Sequence, residues 1–126
     1  MALYFSDFDE EKTAFVNPWD TTKKQEGFPS VAVSTFSADI VEDYVRECNP
    51  PEIAKIYTAN GYYPVYQAEY KGEKIALFVS RVGAPACVAG LEEIIQMGAK
   101  TLYCSAVAEY WMKMLQRARL FCRPQR

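Results

Sequence analysis

Apolar positions along this chain follow two rhythms, and the switches between them mark out its elements. Residues 31–35 (VAVST) are apolar and β-branched on both faces, which suits a strand buried on both sides in a parallel sheet. From residue 37 (SADIVEDYVREC) the period lengthens to that of a helix, with Ile40, Val41, Tyr44, Val45 and Cys48 on one face. Ser37 stands where an N-cap would sit, and Asp39 lies in the first turn, where the helix dipole favours a carboxylate. Asn49, Pro50 and Pro51 end that helix, because proline restricts the residue before it. Two strand-like runs follow at 62–70 (YYPVYQAEY) and 74–80 (KIALFVS), joined by a KGEK hairpin turn in which Gly72 takes the left-handed backbone angle. The stretch before them, EIAKIYTAN, carries no decisive period. After the short loop RVGAP, Pro85 suits a first helical turn, and the helix it opens is expected to turn Val88, Leu91, Ile94 and Ile95 inward and to stop at Gly98. AKTLY opens a further strand. Strand, loop, helix and strand at this spacing make a βαβ unit, so residues 28–103 read as an α/β domain with a mainly parallel sheet. Residues 1–27 read as irregular, with NPWD a turn.

Length and composition are consistent with that picture. A chain of 126 residues, 50% hydrophobic and 14% aromatic, has the material for one small domain with its own core. Its four cysteines form no CxxC pair and it has no histidine, which argues against a structural zinc site. The acidic start MALYFSDFDEEK lacks the layout of a signal peptide, and no apolar run approaches the ~20 residues of a membrane span. The expectation is a cytoplasmic protein with reduced thiols and no membrane partner.

Charge changes the picture at the C-terminal end. The net charge of -2 divides into -6 over residues 1–103 and +4 over residues 104–126. Such a break marks either a basic tail that meets an acidic partner or a segment of different origin. The acidity of residues 1–103 argues against nucleic acid.

Candidate chemistry concentrates where strands hand over to helices, since ligands of open α/β sheets sit beyond the carboxyl ends of the strands. The loop Ser80, Arg81, Val82, Gly83, Ala84 occupies such a position. It is either a tight turn carrying a solvated arginine or an anion site at a helix N-terminus. Ser37 reads as a cap rather than a nucleophile, because no histidine exists to activate it. Cys87 reads as a small core residue, and Tyr62, Tyr63, Tyr66 and Tyr70 as strand packing.

Two stretches, FPSVAVSTFSADIVEDYV and YKGEKIALFVSRVGAPACVAGLEEIIQMGAKTL, resemble the N-terminal part of the nucleoside phosphorylase superfamily, especially its uridine phosphorylase branch. The resemblance covers roughly residues 28–102, and its most specific piece is VGAPACVAGLEEIIQMGAKTL. It implies a three-layer α/β/α sandwich, present here as its N-terminal portion. It further implies phosphate-dependent cleavage of the N-glycosidic bond of a nucleoside, inorganic phosphate as co-substrate with no other cofactor, and a homo-oligomer. Arg81, Gly83 and Ser37 are the phosphate- or substrate-binding candidates, Arg81 by inference from its loop and not from a family motif; no catalytic residue and no metal ligand is assigned. The departures are specific. The family's first phosphate loop reads Gly-Asp-Pro-x-Arg, whereas Phe36, Ser37, Ala38, Asp39 and Ile40 stand here. The histidine that many members lend to a neighbouring subunit is absent as well.

Beyond Leu102 the resemblance stops, where the family would enter a Gly-rich turn. Back-translated and read one base out of register, residues 103–126 permit a strand, that turn and a further strand. On this reading the tail is an out-of-frame product and the chain is a truncated, inactive piece of the enzyme. The alternative is a small non-catalytic α/β binding module whose tail, with Val107, Trp111, Met114, Ala118 and Phe121 at helical spacing, forms a basic amphipathic helix.

Overall fold

The computed structural model describes residues 11–105. In chain order the elements are α1 (Pro18–Thr21), β1 (Val31–Thr35), α2 (Ala38–Cys48), β2 (Glu52–Thr58), β3 (Gly61–Tyr70), β4 (Glu73–Val79), α3 (Ala84–Met97) and β5 (Thr101–Ser105). The expected basic tail lies outside the described residues except for Cys104 and Ser105, which continue β5.

The sheet has five strands in the order β2-β3-β4-β1-β5. Strand β1 runs parallel to both β4 and β5, and burial of Ala32, Val33, Ser34 and Thr35 follows from its central place. The sheet as a whole is mixed, which corrects the expectation of a mainly parallel one: β2 pairs antiparallel with β3, and β3 antiparallel with β4. The reason lies in EIAKIYTAN, which forms β2 and turns tightly at Ala59 and Asn60 into β3. Short connections force antiparallel neighbours, whereas the parallel pairs each need a helical crossover. The β3–β4 turn places Lys71 (φ 50°) and Gly72 (φ 80°) in the left-handed region, as a two-residue primed turn requires.

Side-chain alternation in the strands separates two apolar layers. Val33, Ala68, Ile75 and Leu77 face α2, where Ile40, Val41 and Tyr44 meet them. Ala32, Ala54, Ile56, Val65, Ala76 and Phe78 face the other way, against Ile94 and Met97 of α3. The two long helices therefore cover opposite faces of one sheet. Burying a side chain such as Leu77, Phe78 or Ile94, each at most 2% exposed, contributes about 1.5–3 kcal/mol.

Three local expectations are corrected. The N-terminal segment is not wholly irregular, because Pro18 opens the single turn α1 and the Asn17 N–H donates to the Asp20 carboxylate at 2.8 Å. Ser37 stands at the N-cap of α2 but its side chain forms no capping hydrogen bond; instead its N–H donates to Thr35 Oγ1 at 3.2 Å. In α3 the inward stripe runs through Gly90, Ile94 and Met97, leaving Val88 at 51% and Ile95 at 52% exposure. Ile95 follows Ile94 by 100° of helix rotation, so the two cannot share the same narrow contact. Leu91 is partly buried beside that stripe. Gly98 caps the helix as expected, and its N–H donates to the Ile94 and Ile95 carbonyls.

Candidate functional site

The carboxyl ends of β1, β4 and β5 lie side by side, and the chain leaves β1 and β4 toward opposite faces of the sheet. The Ser80 N–H donates to the Thr35 carbonyl at 2.8 Å, extending the ladder one residue past β4 and fixing the two exits next to each other. An exit pair of this kind opens a crevice at the edge of an α/β sheet. Ser37 follows one strand into α2, and Arg81 and Gly83 follow the other into α3, so all three candidates occupy one end of the sheet.

Below this crevice runs a hydroxyl chain. Alternation puts Ser34, Ser80 and Cys104 on the α3 side, like Ala32, Phe78 and Leu102 before them. The Ser80 hydroxyl donates to Ser34 Oγ at 2.8 Å, and the Ser34 hydroxyl donates to the Cys104 sulfur at 3.1 Å. Ser80 Oγ and Cys104 Sγ are 3.7 Å apart. Ser34 and Ser80 are 1% and 5% exposed, so these bonds satisfy groups that water does not reach. Among the described residues no base joins these hydroxyls, and the sequence has no histidine to activate either serine.

Arg81 is half-buried and borders a notch of about 10 Å³ with Tyr63, Ser80, Cys87 and Gly90, room for one water. Cys87 is therefore a half-buried wall residue of this notch rather than a core residue. On α3, one turn after Gly90, burial pushes the Glu93 carboxyl above its usual range, and the Arg81 guanidinium opposes the shift by favouring the charged form. Arg81 thus sits in a partly desolvated setting with a carboxylate within electrostatic reach.

Gly83 is the N-cap of α3 at φ 97°, a conformation that side-chain-bearing residues rarely adopt. The Cys87 N–H already donates to the Gly83 carbonyl at 2.9 Å, and Pro85 has no N–H. The helix end therefore offers the Ala84 and Ala86 amides, a narrower anion cradle than a full first turn. Arg81 borders the notch, whereas Ser37 and Gly83 do not line it. Ser34 went unmarked in the sequence, although its place two residues after Ala32 predicts that its hydroxyl faces α3.

Among the described residues no group of His, Cys, Asp and Glu could hold a metal ion, and no helix is long and apolar enough to cross a membrane. No protein-family model matches this chain, and neither curated proteins nor solved structures yield a match.

Proposed function

We propose that residues 28–103 are the N-terminal portion of a nucleoside phosphorylase-type domain of the uridine phosphorylase branch, and that the chain of this sequence does not complete the catalytic site. The observation that carries the reading is the paired exit from β1 and β4, locked by the Ser80 to Thr35 hydrogen bond, with Arg81 and Gly83 at the rim. Phosphate-dependent cleavage of an N-glycosidic bond needs anion ligands held next to the sugar, and this crevice is where an α/β sheet presents them. The element order supports the same reading: a strand, a helix, a hairpin, a strand ending in a Gly-containing loop, a helix and a strand.

The parts present define a division of labour. Arg81 supplies the positive charge for phosphate, the Ala84 and Ala86 amides the neutral donors, and Ser37 a hydroxyl from the opposite exit. The sequence carries neither the glycine and arginine of the usual first phosphate loop nor a histidine for the ribose, so on this reading phosphate binding falls to Arg81, the two amides and Ser37.

The test is genetic and enzymatic together. The source gene is resequenced through the Leu102 codon, and the chain is expressed both as it stands and with a single-base restoration of the alternative frame. The expected result is a long continuous frame, with phosphate-dependent release of base from uridine or another nucleoside by the restored protein alone. No open alternative frame, or a restored protein that leaves nucleosides intact, overturns the proposal. In that case the basic tail belongs to the protein and a binding module takes its place.

A further inference from the structure

On the α2 side of the sheet, α2 and β3 border a groove of about 380 Å³ that shares Tyr63 and Val79 with the lining of the notch. Its volume falls within the range of small-molecule sites, and its wall is mainly apolar, with Val41, Val45 and Val79 among the lining residues. Tyr66 contributes aromatic surface, its side chain packing on the α2 face, whereas Tyr63 packs with the α3 layer.

Charge at the rim is unbalanced. Two charged side chains line the groove, Glu42 and Arg46. Arg46 is engaged with Asp43 at 2.9 Å, whereas Glu42 forms no ion pair among the described residues. Glu52, the next carboxylate along this side, is bridged by Lys55 at 3.6 Å. Burial, then Glu52, Tyr62 and Glu42, raise the pKa of the Tyr66 phenol, so the ring that borders the groove stays neutral beside these carboxylates.

The tyrosines of β3 show what this surface attracts. Tyr62, Tyr66 and Tyr70 recur every fourth residue on one face of the strand. Lys55 Nζ sits 4.3 Å above the Tyr62 ring, and Lys71 Nζ 5.4 Å above the Tyr70 ring. Tyr66, between them, has no such cation among the described residues and borders the groove instead. An aromatic wall, an aliphatic wall and one unpaired carboxylate at the rim fit a single ligand chemistry.

We infer that the groove between α2 and β3 binds a small organic cation, an alkyl- or aryl-ammonium whose apolar body rests on Val41, Val45 and Val79 while its charge lies between the Tyr66 ring and Glu42. The inference does not rest on the nucleoside phosphorylase reading, because none of Arg81, Gly83 and Ser37 takes part in it.

The experiment titrates the full chain with benzyltrimethylammonium and follows backbone and methyl resonances by NMR, with benzyl alcohol as the neutral aryl comparator. Saturable shifts confined to α2, β3 and Val79 are expected with the cation, and binding at least about fivefold weaker for the alcohol. Glu42→Gln, at an exposed position that leaves the packing intact, is expected to weaken the cation about two- to fivefold without changing the affinity for benzyl alcohol. Tyr66→Leu is expected to weaken it by a similar factor. Equal binding of alcohol and cation, or an unchanged affinity in Glu42→Gln, overturns the inference. So do groove resonances that move with protein concentration rather than with the probe, which would place a second copy of the chain there, and resonances that move with neither.

Discussion

Ser80 stands one residue past β4 and Ser34 in the neighbouring parallel strand β1, and the hydroxyl of the first donates to the hydroxyl of the second at 2.8 Å where both side chains are buried. The pair, continued to Cys104 at 3.1 Å, ties the ends of β4, β1 and β5 together through side chains where the backbone ladder runs out. It is the polar floor of the crevice.

The two hydroxyls should therefore be coupled in their contribution to stability. Ser80→Ala leaves Ser34 without its donor and should lower stability by about 1–2 kcal/mol. The double replacement Ser34→Ala with Ser80→Ala should cost less than the two single changes added together, because no buried hydroxyl is then left half-satisfied. Urea unfolding of the four proteins in the cycle measures the difference, and strict additivity would show that the bond contributes nothing.

The orientation of α3 yields a second contrast. Ile94 is fully buried and Ile95 is 52% exposed, although they are adjacent and identical in kind. Ile94→Ala should destabilise by about 2–5 kcal/mol, and Ile95→Ala by less than about 1 kcal/mol. Comparable losses in thermal or urea unfolding would mean that α3 is rotated from the arrangement described.

Two glycines of the same helix region should respond with opposite signs. A Cβ at Gly98 would meet Phe28 Cβ at 3.3 Å, and the φ of 140° is strained for any side chain, so Gly98→Ala should cost about 1–3 kcal/mol. Gly90 lies inside α3 with ordinary helical φ and nothing within 4 Å of the added methyl. Gly90→Ala should stabilise by about 0.5–1 kcal/mol, read as a rise in the urea midpoint.

Glu93 gives a pH dependence with a definite sign. Its carboxyl is raised in the folded state, so the native protein holds this proton more tightly than the unfolded chain does. Stability contributed by the protonated form is present below the ordinary carboxylate range and is lost as pH rises through the folded-state pKa. The stability of Glu93→Gln relative to the parent should thus climb across that window and level off above it. Arg81→Gln removes the opposing charge and should move the Glu93 titration, followed by carboxyl-carbon NMR, to higher pH. A downward move would place the guanidinium elsewhere.

Much of the local structure was legible without coordinates. The β-branched run at 31–35, the helical period after Ser37, the KGEK turn and the stop at Gly98 each depend on a few neighbouring residues, and each element stands where its rhythm puts it. The loop from Ser80 to Ala84 was likewise placed at a strand-to-helix exit by punctuation alone. Strand β2 was not legible, because an edge strand paired on one side needs no regular alternation, and its sequence mixes Ile and Tyr with Lys and Glu.

What the sequence by itself determined is β1, α2, β3, β4, α3 and β5, and the places of Arg81, Gly83 and Ser37 just past two strand exits. What only the tertiary structure decided is everything that depends on which strands become neighbours. The antiparallel half of the sheet, the face that α3 turns inward and the contacts from Ser80 to Ser34 and from Ser34 to Cys104 span separations of 46 and 70 residues or rest on packing across layers. Short-range periodicity sets a residue's conformation and the side of the strand on which it stands, but the partner on that side is chosen by the cooperative burial of distant apolar surfaces, which no local window contains.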